Sequence, residues 1–217
     1  MKHIGEIALH GVLPEVFAGM PRRESQVWLA DVVFRRGETC LVEAESGVGK
    51  SSLCSFIYGA RQDYTGTITV DGENLRGFSV RRLCDMRVRH VSLLPQDMRL
   101  FPELTVMENI DIKNRLTSWK TRGEVLSMLE RLEIAGKVDE PARRLSIGQQ
   151  QRVAVVRALC QPFDFLLLDE PVSHLDARNN SVVAEVIAAE AAAQGAGVIA
   201  TSVGYDINLD FDRKLKL

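Results

Sequence analysis

Solid apolar runs along this chain alternate with stretches in which apolar residues return every three or four positions, and the alternation predicts strands and helices in turn. Residues 27–34, Val-Trp-Leu-Ala-Asp-Val-Val-Phe, read as a strand, with Arg35-Arg36-Gly37-Glu38 as the turn after it. Thr39-Cys40-Leu41-Val42-Glu43 is a short β-prone run leading into a glycine-rich loop, after which Ser52 to Tyr58 predicts a helix stopped at Gly59. Residues 65–72 alternate β-branched positions and close on Asp71-Gly72, a hairpin signal. Val125, Leu126, Leu129 and Leu132 recur at helical spacing, which marks residues 97–144 as a helical insertion. Gln149 to Cys160 continues as a helix that Pro162 ends. Phe165-Leu166-Leu167-Leu168 has no alternation, as expected of a strand covered on both faces. A helix over about residues 180–194, stopped by Gly195, and a strand at Val198-Ile199-Ala200 complete the pattern. Strands that alternate with helices predict an α/β fold with a mostly parallel sheet, whose ligand-binding loops lie at the strands' carboxyl ends.

Composition narrows the class. The chain has 217 residues, 46% hydrophobic and 26% charged, enough for one globular domain over 1–217 that carries an inserted subdomain. Lys plus Arg number 27 against 29 Asp plus Glu, a net charge of −2, so no basic excess points to nucleic acid and no nucleic-acid partner is expected. Cys40, Cys54, Cys84 and Cys160 form no CxxC pair, which favours reduced, mostly buried thiols over a disulfide framework or a zinc site. No uncharged apolar run approaches the roughly 18 to 20 residues that span a bilayer. Glu6 and His10 interrupt any signal-peptide core, so the N-terminus reads as mature protein.

The chemistry concentrates in two places. A strand, then Ala44-Glu45-Ser46-Gly47-Val48-Gly49-Lys50-Ser51, then a helix, is the context of a P-loop. Its candidate phosphate cradle is Ser46, Gly47, Val48, Gly49, Lys50, Ser51 and Ser52: glycines let N–H groups converge on phosphate oxygens, and the helix N-terminus adds a favourable dipole. Lys50 would reach the β- and γ-phosphates and the Ser51 hydroxyl would bind Mg²⁺. Ala44 stands where the pattern has its first glycine, which fits if the backbone there needs no positive φ. Asp169 and Glu170 follow the apolar run 165–168, placing an aspartate for Mg²⁺ and a glutamate able to polarise water at a strand end. Taken singly, the loop is a tight turn with a surface lysine, and the acids are a solvated strand terminus; together they favour a nucleotide site.

With these residues in place the chain resembles the nucleotide-binding domains of ABC transporters over essentially its whole length. Leu145-Ser146-Ile147-Gly148-Gln149 resembles the family's LSGGQ signature, although without its neighbours this stretch reads equally as an N-capped amphipathic helix. Leu94-Pro95-Gln96-Asp97 is similar to the Q-loop, Leu166 to Glu170 to Walker B, and Ser173-His174-Leu175-Asp176 to the D-loop. The resemblance implies a P-loop NTPase core with a mostly parallel sheet, an antiparallel β subdomain and a helical subdomain inserted at roughly 97–160. It also implies ATP and Mg²⁺ as ligands, with Ser51, Gln96 and Asp169 about the metal and Glu170 and Gln96 catalytic. Two such domains would pair head to tail, so that Ser146, Gly148 and Gln149 close over the partner's ATP and Asp176 lies in the D-loop between them. The implied partners are a second copy and an integral membrane permease on a separate chain, which would hold the protein on the cytoplasmic face of the membrane.

Three departures or choices remain. An aromatic residue upstream of the P-loop stacks on adenine in the family, and Phe17 is the first candidate, Trp28 the second. After the strand 198–200 the family has a switch histidine; here Thr201-Ser202-Val203-Gly204 puts Ser202 at that position. A serine hydroxyl can still hydrogen-bond a γ-phosphate oxygen, which makes Ser202 a third catalytic candidate, but it is shorter and cannot carry an imidazolium's charge, which predicts preserved ATP binding with slow hydrolysis. Short length and Gln149-Gln150-Gln151-Arg152 resemble compact export-type subunits. The competing expectations are a regulatory subunit that binds ATP with little hydrolysis and a soluble ABC ATPase outside transport.

Overall fold

The apolar runs that show no alternation are strands packed on both faces, and every second residue belongs to a different core. The computed structural model describes residues 2–20 and 24–217. Its first half holds β1 (Glu6–Pro14), β2 (Asp31–Arg35), β3 (Thr39–Glu43), α1 (Lys50–Ile57), β4 (Tyr64–Val70), β5 (Glu73–Asn74), α2 (Val80–Arg89) and β6 (Val91–Leu94). Then come α3 (Val106–Asn114), α4 (Arg122–Arg131), α5 (Ile147–Leu159), β7 (Phe165–Asp169), α6 (Ala177–Gln194), β8 (Gly197–Ser202) and β9 (Arg213–Lys216).

Five strands form a parallel sheet in the order β6-β7-β8-β3-β9, and four form an antiparallel sheet in the order β2-β1-β4-β5. On β7, Phe165 and Leu167 join the core shared with α1 and the antiparallel sheet, while Leu166 and Leu168 join the core under α3 to α6. Cys40 and Val42 against Leu41, and Ile199 against Val198 and Ala200, divide the same way on β3 and β8. The period of two is present in these strands but hidden, because both faces are apolar.

Local signals set most element ends. Thr105 with Glu108 and Thr121 with Glu124 form capping boxes at the starts of α3 and α4. Gly195, left-handed at φ 57°, ends α6. Asp71 and Gly72, with φ of 48° and 80°, turn β4 into β5 as the Asp-Gly pair predicts.

One predicted strand needs correction. Residues 27–30 are not part of β2: the Ser25 hydroxyl accepts hydrogen bonds from the amides of Val27 and Trp28, at 3.1 and 2.8 Å, and Leu29 turns with φ 60°. The apolar character of 27–30 serves a loop whose Trp28 is driven inward rather than a ladder. The sequence pattern does not mark β1, α2, β6 or β9, while α3 falls within the expected helical insertion. A buried carboxylate ties the N-terminus to this frame: Asp164 accepts from the Ile4 amide at 2.9 Å, contacts Nδ1 of His3 and of His90 at 2.6 Å each, and lies 3.0 Å from Arg36 Nε.

Candidate nucleotide site

Because β3, β6, β7 and β8 run parallel, the segments after them emerge on one edge of the sheet, and the predicted residues collect there. The loop after β3 reaches α1 through Gly47 at φ 82° and Gly49 at φ 102°; Gly49 is the N-cap of α1 and offers no side chain to its first-turn amides. Those N–H groups are left for a ligand. Ala44 is not among the residues with positive φ, so a methyl group is tolerated at the first position of the pattern.

Lys50 donates to the Glu45 carbonyl at 2.8 Å and lies 3.5 Å from Glu170 Oε1. Gln96 donates from Nε2 to Glu170 Oε2 at 3.0 Å, and its Oε1 accepts from Ser51 Oγ at 3.4 Å. One polar chain therefore joins the P-loop, the segment after β6 and the end of β7. Asp169 is buried beside it, with its Oδ1 accepting from Thr201 Oγ1 at 2.9 Å. Glu170 has φ 51°, a left-handed conformation uncommon for a residue with a side chain, and its amide donates to Thr201 Oγ1 at 3.3 Å. Ser46 is exposed, and the Ser52 hydroxyl accepts from Arg61 at 3.1 Å.

Ser202 lies elsewhere in chemical terms. It is 2% exposed, and its hydroxyl donates to Asp206 Oδ1 at 2.5 Å instead of facing the Lys50 and Glu170 cluster as a free group.

Beside the P-loop a cavity of about 700 Å³ is lined by Leu13, Phe17, Trp28, Gly47, Val48 and Leu217. Both aromatic candidates face Gly49: a β-carbon built there would stand 3.1 Å from Phe17 Cε2 and 3.2 Å from Trp28 Cζ2. They differ in attachment. Trp28 is 8% exposed and its Nε1 donates to the Val48 carbonyl at 3.0 Å, whereas Phe17 is half-buried at the rim.

The signature-like turn takes no part in the Lys50 cluster. Ser146 is the N-cap of α5, its hydroxyl accepting from the Gln149 amide at 3.3 Å while Gln149 Oε1 accepts from the Ser146 amide at 3.0 Å. Ile147 is 52% exposed, so the extra side chain projects into solvent. Gly148 packs on the D-loop-like segment, where an added β-carbon would meet the His174 carbonyl at 3.0 Å. Asp176 caps α6, accepting from the Asn179 amide at 2.8 Å, and that bond holds its carboxyl below the ordinary value.

Two contributors escaped the sequence reading. Thr201 sits between Asp169 and Glu170, and Gln151 reaches from α5 to the Glu170 carbonyl. For Thr201 the signal was a hydroxyl at the end of a β8 run that is otherwise apolar; for Gln151, a glutamine among the buried faces of a helix.

The family model for ABC transporters matches residues 30–173. This chain belongs to the ABC transporter family. Among relatives of this ABC protein is the uncharacterized ABC transporter ATP-binding protein YbbA of Escherichia coli K12, 30% identical over 190 residues that cover 86% of this chain and 83% of YbbA. Another is the glutamate transport ATP-binding protein GluA of Corynebacterium glutamicum, 35% identical over 162 residues, 73% of this chain and 66% of GluA. The fold is that of MJ0796, a bacterial ABC transporter cassette: its dimeric structure superposes with a TM-score of 0.79 at 23% identity, covering 93% of this chain and 89% of MJ0796. A second dimeric structure of MJ0796, bound to ADP and Pi, gives a TM-score of 0.77.

Proposed function

We propose that this ABC protein is the ATP-hydrolysing subunit of a transporter, coupled to a permease on a separate chain and acting through head-to-tail pairing of two ATP-loaded copies. The observation that carries the reading is a site in two halves. Lys50, Ser51, Gln96 and Glu170 are joined in one polar chain, while the Ser146 turn, whose own hydroxyl caps the Gln149 amide, makes no bond to them. A second copy would supply that turn across the interface, and the dimeric state of MJ0796 supports the pairing.

Phe17 stacks on adenine at the rim of the cavity, and the amides around Gly47, Gly49 and Ser51 take the phosphate oxygens. Lys50 gives up the Glu45 carbonyl and Glu170 for the β- and γ-phosphates, which releases the glutamate. Glu170 then accepts a proton from the attacking water as its oxygen bonds to the γ-phosphorus, and ADP leaves with the electrons of the broken bond. Ser51 Oγ and Gln96 Oε1, close enough to share one ligand, and the Asp169 carboxylate are hard oxygen donors that suit Mg²⁺. Bound there, Mg²⁺ neutralises charge on the phosphate oxygens.

Hydrolysis is slow in this reading, because the Ser202 hydroxyl is committed to Asp206 and no imidazole stands in its place. The same observation supports a second reading, a regulatory subunit that pairs on ATP but scarcely hydrolyses it. The protein would lie at the cytoplasmic face of the membrane, held there by the permease.

Size measurements on Glu170→Gln with ATP, alone and with a co-purified membrane component, test the pairing. A dimer is expected, and a monomer in both settings overturns the proposal. Phosphate release stimulated by the permease separates the hydrolytic reading from the regulatory one.

A further inference from the structure

Gln151 is 2% exposed, lies on α5 one turn beyond Ser146 and Gly148, and spends its whole amide on a single segment. Its Nε2 donates to the Glu170 carbonyl at 3.3 Å and to Ser173 Oγ at 3.4 Å, and its Oε1 accepts from the His174 amide at 3.1 Å. Glu170, at φ 51°, is thus gripped on both sides of its Cα: Thr201 of β8 takes its N–H, and its C=O accepts from Gln151 and, within the same segment, from Ser173 Oγ at 3.3 Å. Gly148 presses on the same segment through the His174 carbonyl.

From this we infer that Gln151 is a positioning residue that couples the Ser146 turn to the orientation of Glu170. The inference rests on the hydrolytic reading above and adds a link between the two nucleotides of a pair. When the Ser146 turn engages the partner's ATP, α5 shifts as a unit, and Gln151 carries that shift to the peptide that aims the water-polarising carboxylate of its own site. The chain of contact is short: one helical turn, one amide, one peptide. Left-handed backbone at a non-glycine residue is strained and persists only where its surroundings impose it, so Glu170 is the place where releasing one bond changes the geometry.

Full-length Gln151→Met and Gln151→Glu, compared with the unaltered chain, test this. Glutamate keeps an acceptor for the His174 amide but has no donor for the Glu170 carbonyl; methionine keeps neither. Both variants are expected to fold with a thermal midpoint lowered by a few degrees, to hold ATP within about twofold of the unaltered affinity, and to lose roughly 10- to 100-fold in kcat, the scale of a misplaced reacting group. Full kcat in Gln151→Glu, or kcat loss matched by equal loss of ATP affinity, overturns the proposal. Amide exchange supplies a readout free of turnover. Under saturating ATP, exchange at residues 170–174 is expected to slow in the unaltered chain and not in Gln151→Met. Equal slowing in both, or none in either, overturns the coupling. Absence of turnover in the unaltered chain counts only against the hydrolytic reading.

Discussion

Phe17 and Trp28 flank the cavity beside the P-loop, and on the proposed reading of that cavity as the adenine site, substitution separates a stacking surface from a structural strut. Phe17→Ala removes a half-buried ring at the rim with no hydrogen bond of its own. Base stacking on an aromatic ring is worth about 1–3 kcal/mol, so ATP should bind roughly 5- to 150-fold more weakly. Inorganic tripolyphosphate, which has no base, should bind as before, and the urea midpoint should barely move. Trp28→Phe is the opposite case. It strands the buried Val48 carbonyl, now bonded by the indole at 3.0 Å, at a cost of about 1–3 kcal/mol in stability. It also loosens a contact on Gly49 and an edge-on packing against Phe56, with centroids 6.4 Å apart. Both ATP and tripolyphosphate should therefore weaken together, because the phosphate loop itself loses its support. Titration calorimetry with the two ligands, paired with urea unfolding, reads the contrast directly. Equal weakening of both ligands by Phe17→Ala, or a loss confined to ATP in Trp28→Phe, would refute the assignment.

Three further outcomes follow from the geometry. Gly49→Ala forces a side chain into φ 102° and against two rings, so nucleotide binding should be lost and stability should fall by about 1–3 kcal/mol in urea titration. Ser202→His is expected to raise phosphate release at saturating ATP, and unchanged turnover would remove the account of slow hydrolysis. Asp164 predicts an acid-sensitive fold: burial pushes its carboxyl up, but hydrogen bonds from His90, the Ile4 amide and His3 more than reverse this and leave it below the ordinary value. A carboxyl depressed in the folded state stabilises fully above its unfolded pKa, about 3.9, and that contribution is lost as pH falls through the folded value. Unfolding midpoints measured from pH 6 down to pH 3 should show this loss, and Asp164→Asn, destabilised by roughly 3 kcal/mol at neutral pH, should lack it.

What the sequence made legible was local. The P-loop, the apolar β7, the Asp71-Gly72 hairpin and the stop at Gly195 each depend on residues within a few positions of one another, so their patterns survive reading in one dimension. β1 was hidden because Gly11 and a register shift between His10 and Leu13 break its alternation. β9 is a four-residue edge strand whose pairing with β3 spans most of the chain. Residues 27–30 had the composition of a strand, and only the Ser25 hydroxyl and the pull of Trp28 toward Val48 decide otherwise. Ser202 was legible as an absent histidine, but its bond to Asp206 depends on how the segment after β8 turns.

The candidate catalytic residue shows most clearly why motif and mechanism are not the same information. Glu170 is recognisable as the acid after an apolar run, yet nothing near it in sequence fixes its left-handed backbone. The two peptide groups flanking it are bonded from afar, the N–H to Thr201, 31 residues later, and the C=O by Gln151, 19 residues earlier, with Ser173 on the same carbonyl. Its carboxylate is meanwhile held by Lys50 and Gln96, which belong to the phosphate side. The peptide therefore answers to the helix that begins at Ser146, and the carboxylate to the loop that begins at Ala44. On the proposed pairing, a residue shared in this way would respond to nucleotide on either wall of the site, the property a paired ATPase needs if neither copy is to fire alone.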